Sequence, residues 1–185
     1  MMRRMGSAPG WLLFGVIATA GCSTMSVHST FNPSATFSQY RTYAWLPNTD
    51  KTRVADLMRG SPSEQRLQSN VDQALAAKGI TQAPAGTQPD FLISYHVATQ
   101  EKMDVTDWGY GFYGFGGPVD AYTYTQGTLI LDFVDPKTQN AFWRGYASDI
   151  VGDAGANGAK LDEAVTKMMQ KYPPSPQDVA SATHH

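Results

Sequence analysis

Thr128-Leu129-Ile130-Leu131-Asp132-Phe133-Val134-Asp135-Pro136-Lys137-Thr138-Gln139-Asn140-Ala141-Phe142-Trp143-Arg144-Gly145-Tyr146-Ala147 carries the clearest fold signal in the chain. Over 128–134 the pattern alternates, which places Leu129, Leu131 and Phe133 on one side of an extended strand. Asp135 to Asn140 is a run of turn-formers. A second strand over 141–150 follows, with Trp143, Gly145, Ala147 and Asp149 on one face and Phe142, Arg144, Tyr146 and Ser148 on the other. The two strands predict a β-hairpin. Asp132 alternates away from Leu131 and Phe133, and it lies about as far from the turn as Arg144 does. The pair is expected to form a structural ion bridge across the hairpin, where opposed charges contribute roughly 0.2–1 kcal/mol.

The rest of the fold is read outward from this hairpin. Upstream, Ser61-Pro62-Ser63-Glu64 is a helix start: Ser61 caps, Pro62 suits the first helical position and Glu64 completes a capping box. Leu67, Val71, Ala74 and Leu75 recur on one helical face, and Lys78 and Gly79 close the helix. Phe91, Leu92, Ile93, Tyr95 and Val97 mark a strand over 90–98 with one strongly buried face. Val27–Phe31 and Thr42–Leu46 predict two short strands with a turn at Asn32-Pro33-Ser34 between them, under which Phe37 and Tyr40 tuck. Downstream, Leu161, Val165, Met168 and Tyr172 are spaced as in a helix that Pro173-Pro174 stops. Residues 175–185 are small, polar or prolyl and read as a disordered tail, so His184 and His185 are not read as a site. The element order predicts an α+β fold: a single two-layer domain with a largely antiparallel sheet of about five strands and two helices on one face. The uncovered sheet face is then a candidate binding surface.

Between the third strand and the hairpin, residues 104–127 interleave seven aromatic residues with frequent glycine, too much for a helix. An aromatic loop is expected there, with Trp108, Tyr110, Phe112, Tyr113 and Phe115 as candidate binding residues, since exposed rings stack on sugars and bury well at interfaces. The competing reading folds these rings back over the sheet as core.

The amino-terminal segment is of a different kind. Arg3 and Arg4 precede an apolar run from Trp11 to Ala20, and small residues lead to Cys22, the only cysteine. This is the three-part pattern of an export signal. Residues 1–21 are expected to be cleaved as a lipoprotein signal peptide, leaving Cys22 as the lipid attachment site and residues 22–26 as a short tether before a domain over 27–174. The apolar run is about half the length that spans a bilayer, so the membrane partner is reached through acyl chains of the palmitate kind. Ser23 follows the cysteine where an aspartate would commonly signal retention at the inner membrane, and by resemblance to Gram-negative lipoproteins this implies the inner leaflet of the outer membrane, facing the periplasm.

Several separated segments resemble a known family in the right order. They are Phe37-Ser38-Gln39-Tyr40-Arg41-Thr42-Tyr43-Ala44-Trp45-Leu46-Pro47, Asp90-Phe91-Leu92-Ile93-Ser94-Tyr95-His96, Gly127-Thr128-Leu129-Ile130-Leu131-Asp132, Trp143-Arg144-Gly145 and Lys171-Tyr172-Pro173-Pro174. Together they resemble bacterial lipoproteins of domain-of-unknown-function family 4136. The resemblance implies an α+β domain facing the periplasm and transfers no catalytic residue.

The chain carries 14 basic and 16 acidic residues, and two of the basic ones lie in the signal. The mature protein is therefore acidic, and nucleic acid is not an expected partner. One thiol, committed to lipid, leaves none for an internal disulfide. No nucleophile elbow, phosphate loop or metal-ligand spacing occurs, so no catalytic residue, metal or cofactor is expected. His96 is read as capping a sheet edge or facing solvent. The expected function is a non-catalytic binding or structural module with an envelope protein or glycan as partner. The alternatives are a hydrolase or transferase using Asp132 or Asp149, and a purely structural subunit of an envelope complex.

Overall fold

The computed structural model describes residues 25–48, 53–98, 102–103, 111–112, 122–123, 127–148, 150–152, 155–156 and 158–183. Cys22, the signal segment, Asp149 and the side chains of all five aromatic loop residues named above lie outside that set.

In chain order the elements are β1 (Val27–Phe31), β2 (Thr42–Trp45), α1 (Arg53–Met58), α2 (Pro62–Ala76), β3 (Thr81–Gln82), β4 (Phe91–Ala98), β5 (Lys102–Met103), β6 (Gly111–Phe112), β7 (Tyr122–Thr123), β8 (Thr128–Asp135), β9 (Asn140–Ala147), β10 (Val151–Gly152), β11 (Gly155–Ala156), α3 (Gly158–Gln170) and α4 (Pro176–Ala182). An open sheet runs in the order β1-β9-β8-β4-β2-β3, with β6 added beside β9. The architecture is α+β, and the sheet is mixed. β8 is antiparallel to both β4 and β9, and β1 is antiparallel to β9, whereas β2 pairs in parallel with β3 and β4. The two early strands therefore part company, β1 going to the outside of the hairpin and β2 to the far side of β4.

Alternation decides which side of each strand is apolar. Phe91, Ile93, Tyr95 and Val97 of β4, Leu129, Leu131 and Phe133 of β8, and Trp143 and Ala147 of β9 point to one face. There they meet Leu67, Val71 and Leu75 of α2 and Leu161, Ala164, Val165, Met168 and Met169 of α3. Phe142 departs from the predicted alternation. A register shift between Phe133 and Val134 makes it the extra residue of a β-bulge. Phe142 and Trp143 consequently both enter the core, and Phe142 stacks on Tyr40 at 4.3 Å and meets Phe37 at 5.9 Å. Gly145 is needed beneath Trp143, because a Cβ there would lie 2.5 Å from the indole Cη2.

α2 begins where the sequence places it. Ser61 Oγ accepts from Glu64 N–H at 3.2 Å, but the reciprocal half of the capping box is not made. Met58 C=O takes the Ser61 N–H, and the Glu64 carboxylate accepts instead from Gly60 N–H and from Tyr95 O–H at 2.7 Å. Two turns later on the same helix, Asp72 accepts from Tyr43 O–H at 2.6 Å and from Trp45 Nε1–H at 3.0 Å. Two acids on one helix thus clasp two tyrosines of the sheet. The carboxyl end is as predicted: Gly79 adopts φ +76° and Ile80 N–H reaches Leu75 C=O.

The stretch after 175 differs from the expected disordered tail. Ser175 Oγ accepts from Asp178 N–H and the Asp178 carboxylate accepts from Ser175 N–H, so a full capping box starts α4. No residue of α4 is buried, and its helicity rests on that cap and on Pro176 at the first position.

The clasped tyrosines predict the alkaline behaviour. Burial first, then the bonded carboxylates, raise the Tyr43 and Tyr95 hydroxyls well above the usual 10.0, and burial does the same to Tyr172. A raised folded pKa means that the contribution is complete below pH 10 and is lost as pH rises beyond it, because only the unfolded chain ionises freely there. Urea midpoints are expected to hold up to about pH 9.5 and then fall, and fall less in Tyr43→Phe/Tyr95→Phe. An equal fall in that variant would contradict the clasp.

Candidate functional site: a buried polar row

The second face of the sheet, opposite the helices, was expected to be open. It is buried: Ile130, Asp132 and Val134 are fully inaccessible, Arg144 is 1% exposed, His96 3% and Ser94 4%. The open-face expectation fails on that burial. The placement of His96 at an edge or in solvent fails with it, since β4 is an interior strand whose partners are β2 and β8.

The register assembles a row of polar groups on this face. Ser94 of β4 lies opposite Asp132 of β8, Asp132 opposite Arg144 of β9, and Arg144 opposite Thr30 of β1. Arg144 Nε and Nη2 donate to Asp132 Oδ1 and Oδ2, each at 2.6 Å, a bidentate pairing. Ser94 Oγ and His96 Nε2 are 3.1 Å apart, with either atom able to donate. One step along, His96 faces Ile130, Ile130 faces Tyr146, and the Tyr146 ring stacks on His28 at 5.3 Å toward the exposed edge.

Sequence reading placed Asp132 and Arg144 on this face but missed the Ser94–His96 contact. The signal was available, because Ser94 and His96 are the polar positions that alternate with Ile93, Tyr95 and Val97. Burial changes what the row can do. Both oxygens of Asp132 accept from one guanidinium, which commits the carboxylate to holding two strands together. Ser94 and His96 form a hydroxyl–imidazole pair with almost no accessible surface. His96, Thr128, Asp132 and Arg144 are engaged further still.

Among the described residues, the exposed surface includes two concavities of note. One, of about 300 Å³, is lined by Tyr40, Asp90, Asp135 and Lys137 beside the hairpin turn. Asp90 there accepts from Arg41 N–H, Thr42 N–H and Thr42 Oγ1–H, and these bonds, Arg41 N–H foremost, hold its carboxyl below the usual range. The other, of about 400 Å³, lies between the outer side of β1 and the α3–α4 link, lined by His28, Phe31, Lys171 and Pro174. Among the described residues no group of three metal-ligating side chains converges.

Removing one member of the buried pair leaves the other charge without its partner. Arg144→Met is expected to lower stability by about 3–5 kcal/mol, whereas Asp132→Leu combined with Arg144→Met restores most of the loss. Denaturant unfolding of the single and double variants beside wild type checks it. A single change within about 1 kcal/mol of wild type would contradict the burial.

A family model described as "Domain of unknown function (DUF4136)" matches residues 27–174. No curated protein matches the chain. Among solved structures, the domain is similar to a DUF4136 family protein from Bacteroides thetaiotaomicron, with a TM-score of 0.57 at 16% identity, covering 82% of this chain and 97% of that one. It is more weakly similar to a PDZ domain protein from Parabacteroides distasonis, with a TM-score of 0.49 at 18% identity over 82% and 36% of the two chains. The PelC dodecamer protein from Paraburkholderia phytofirmans matches at 0.41 and 14%, over 78% and 94%. The first likeness shows a shared fold.

Proposed function

The chain belongs to the DUF4136 family, and we propose that it is a lipid-anchored envelope lipoprotein serving as a non-catalytic binding or structural module at the periplasmic face of the outer membrane. The observation that carries this reading is the distance from Cys22 to the fold. Only Ser23, Thr24, Met25 and Ser26 separate the cysteine from β1, a span of at most about 14 Å. Val27 is also where the family match begins. Acyl chains on Cys22 contribute about 0.8 kcal/mol per buried methylene, and two or three chains make attachment stable. Among the described residues no helix is long and apolar enough to cross a membrane, so lipid is the route to the bilayer in this reading.

The non-catalytic part rests on how the titratable groups are spent. Asp132 is bound to Arg144 on both oxygens, and Ser94 and His96 are bonded to each other beneath the surface. With the second sheet face buried, partner contact falls to exposed features such as the polar cleft beside β1, a few residues from the tether. An envelope protein or glycan is the partner class that this polar surface suits.

The rival reading is a hydrolase or transferase, and the specific observation in its favour is the Ser94–His96 contact. Ser94→Ala separates the two, since it abolishes an enzymatic function and leaves membrane attachment and partner capture intact.

Cys22→Ser tests the central reading. Wild-type protein is expected to incorporate labelled fatty acid and to fractionate with outer membrane, and the variant to appear in the soluble periplasmic fraction without label. A variant that stays with the membrane, beside wild type that takes up no label, would remove the lipid claim.

A further inference from the structure

β1 ends the sheet order, with β9 as its single neighbour among the described strands. Two bonds just beyond its ends fix which backbone groups face that neighbour. Ser148 N–H donates to Ser26 C=O at 3.1 Å, and Asn32 N–H donates to Phe142 C=O at 2.9 Å. The pairing between them is unbroken, from Val27 opposite Ala147 to Phe31 opposite Trp143. Antiparallel strands alternate between residues that exchange bonds with the partner and residues that do not. Ser26, His28, Thr30 and Asn32 therefore turn their N–H and C=O toward β9, and Val27, Ser29 and Phe31 turn theirs outward. No loop or side chain among the described residues bonds these outward groups.

An exposed row of this kind is usually guarded by a very short strand, by lysine or proline, or by a bulge. The opposite edge of the sheet follows that rule, since β3 is only Thr81–Gln82 and Pro84 comes just after it. β1 does not. Its five residues, Val27-His28-Ser29-Thr30-Phe31, include no lysine and no proline, and its register with β9 has no shift. Instead the row opens on the cleft of about 400 Å³, with Ser29 and Phe31 on one side and Lys171, Pro173 and Pro174 of the α3–α4 link on the other. Lys171 is exposed and forms no salt bridge among the described residues.

We infer that this cleft receives an extended, acid-bearing segment of a partner protein, which joins the sheet as a further strand beside β1. The inference deepens the binding-module reading given above and rests on it, but it does not depend on lipid at Cys22. Spacing selects the class of partner. Outward donors and acceptors that recur every second residue, about 7 Å apart, match the repeat of another extended polypeptide backbone. Charge selects between a foreign segment and a second copy of this chain. Lys171 calls for a carboxylate beside the incoming strand, and residues 22–40, which would supply the strand in a second copy, contain no aspartate or glutamate.

The test selects random linear heptapeptides displayed on phage against the Cys22→Ser chain and maps the tightest binder by amide hydrogen exchange. The peptide is expected to slow exchange at Val27, Ser29 and Phe31 by about tenfold or more, and to change little at His28 and Thr30, which β9 already protects. Ser29→Pro removes an outward donor and no bond to β9, so it is expected to abolish binding. Lys171→Met, at an exposed position that leaves the fold untouched, is expected to weaken binding about two- to fivefold. A binder that protects residues around the hairpin turn instead would overturn the inference and leave the binding-module reading standing. So would a chain that takes up soluble peptidoglycan fragments and no peptide. Protection of the three amides that grows with protein concentration in the absence of peptide would assign the edge to a second copy and overturn the inference. A chain that binds neither probe would remove both readings.

Discussion

A carboxylate and a guanidinium held side by side in the middle of a sheet, with almost no surface open to solvent, constrain the whole domain. Desolvating such a pair costs several kcal/mol per ion, repaid only when both hydrogen bonds form in good geometry. Asp132 and Arg144 meet that condition with two bonds of 2.6 Å. Their meeting fixes the β8–β9 register, and slipping it by one residue would turn every side chain to the wrong face. The same register places Trp143 against Phe133 and Gly145 under the Trp143 ring. The bulge that follows carries Phe142 into the core beside Tyr40. Because the pair must stay dry, the second face must be covered as well.

The parts legible in the sequence were those governed by local pattern. Ser61 and Gly79 bound α2, and alternation set β4, β8 and the turn that Asp135 organises through Lys137 N–H and Thr138 N–H. What escaped was set by partners far away in the chain. Nothing near Val27–Phe31 or Thr42–Trp45 says that one strand joins β9 and the other runs parallel to β4, because parallel pairing is decided by the α2 crossover. Phe142 was misplaced because one extra residue breaks a period of two without leaving a mark in composition. His96 was misread because a polar residue on a strand means solvent only if that face is wet.

Address and architecture thus come from different ends of the chain. Cys22 carries the proposed location, and its closeness to Val27 keeps the domain at the bilayer surface in that reading. The domain offers a sheet in which Asp132 and Arg144, and Ser94 and His96, are turned inward and paired, and an exposed rim where β1, the α3–α4 link and the hairpin turn form shallow polar clefts.

The claim on which all of this rests is that the sheet is buried on both faces. Methyl NMR of the Cys22→Ser chain with a soluble gadolinium chelate measures it directly, with the half-exposed Leu57 as the internal reference. Ile130 and Val134 are predicted to broaden as little as Leu131 and Ile93, which sit under the helices. Broadening of Ile130 and Val134 to the level of Leu57 would show an open second face and contradict the account.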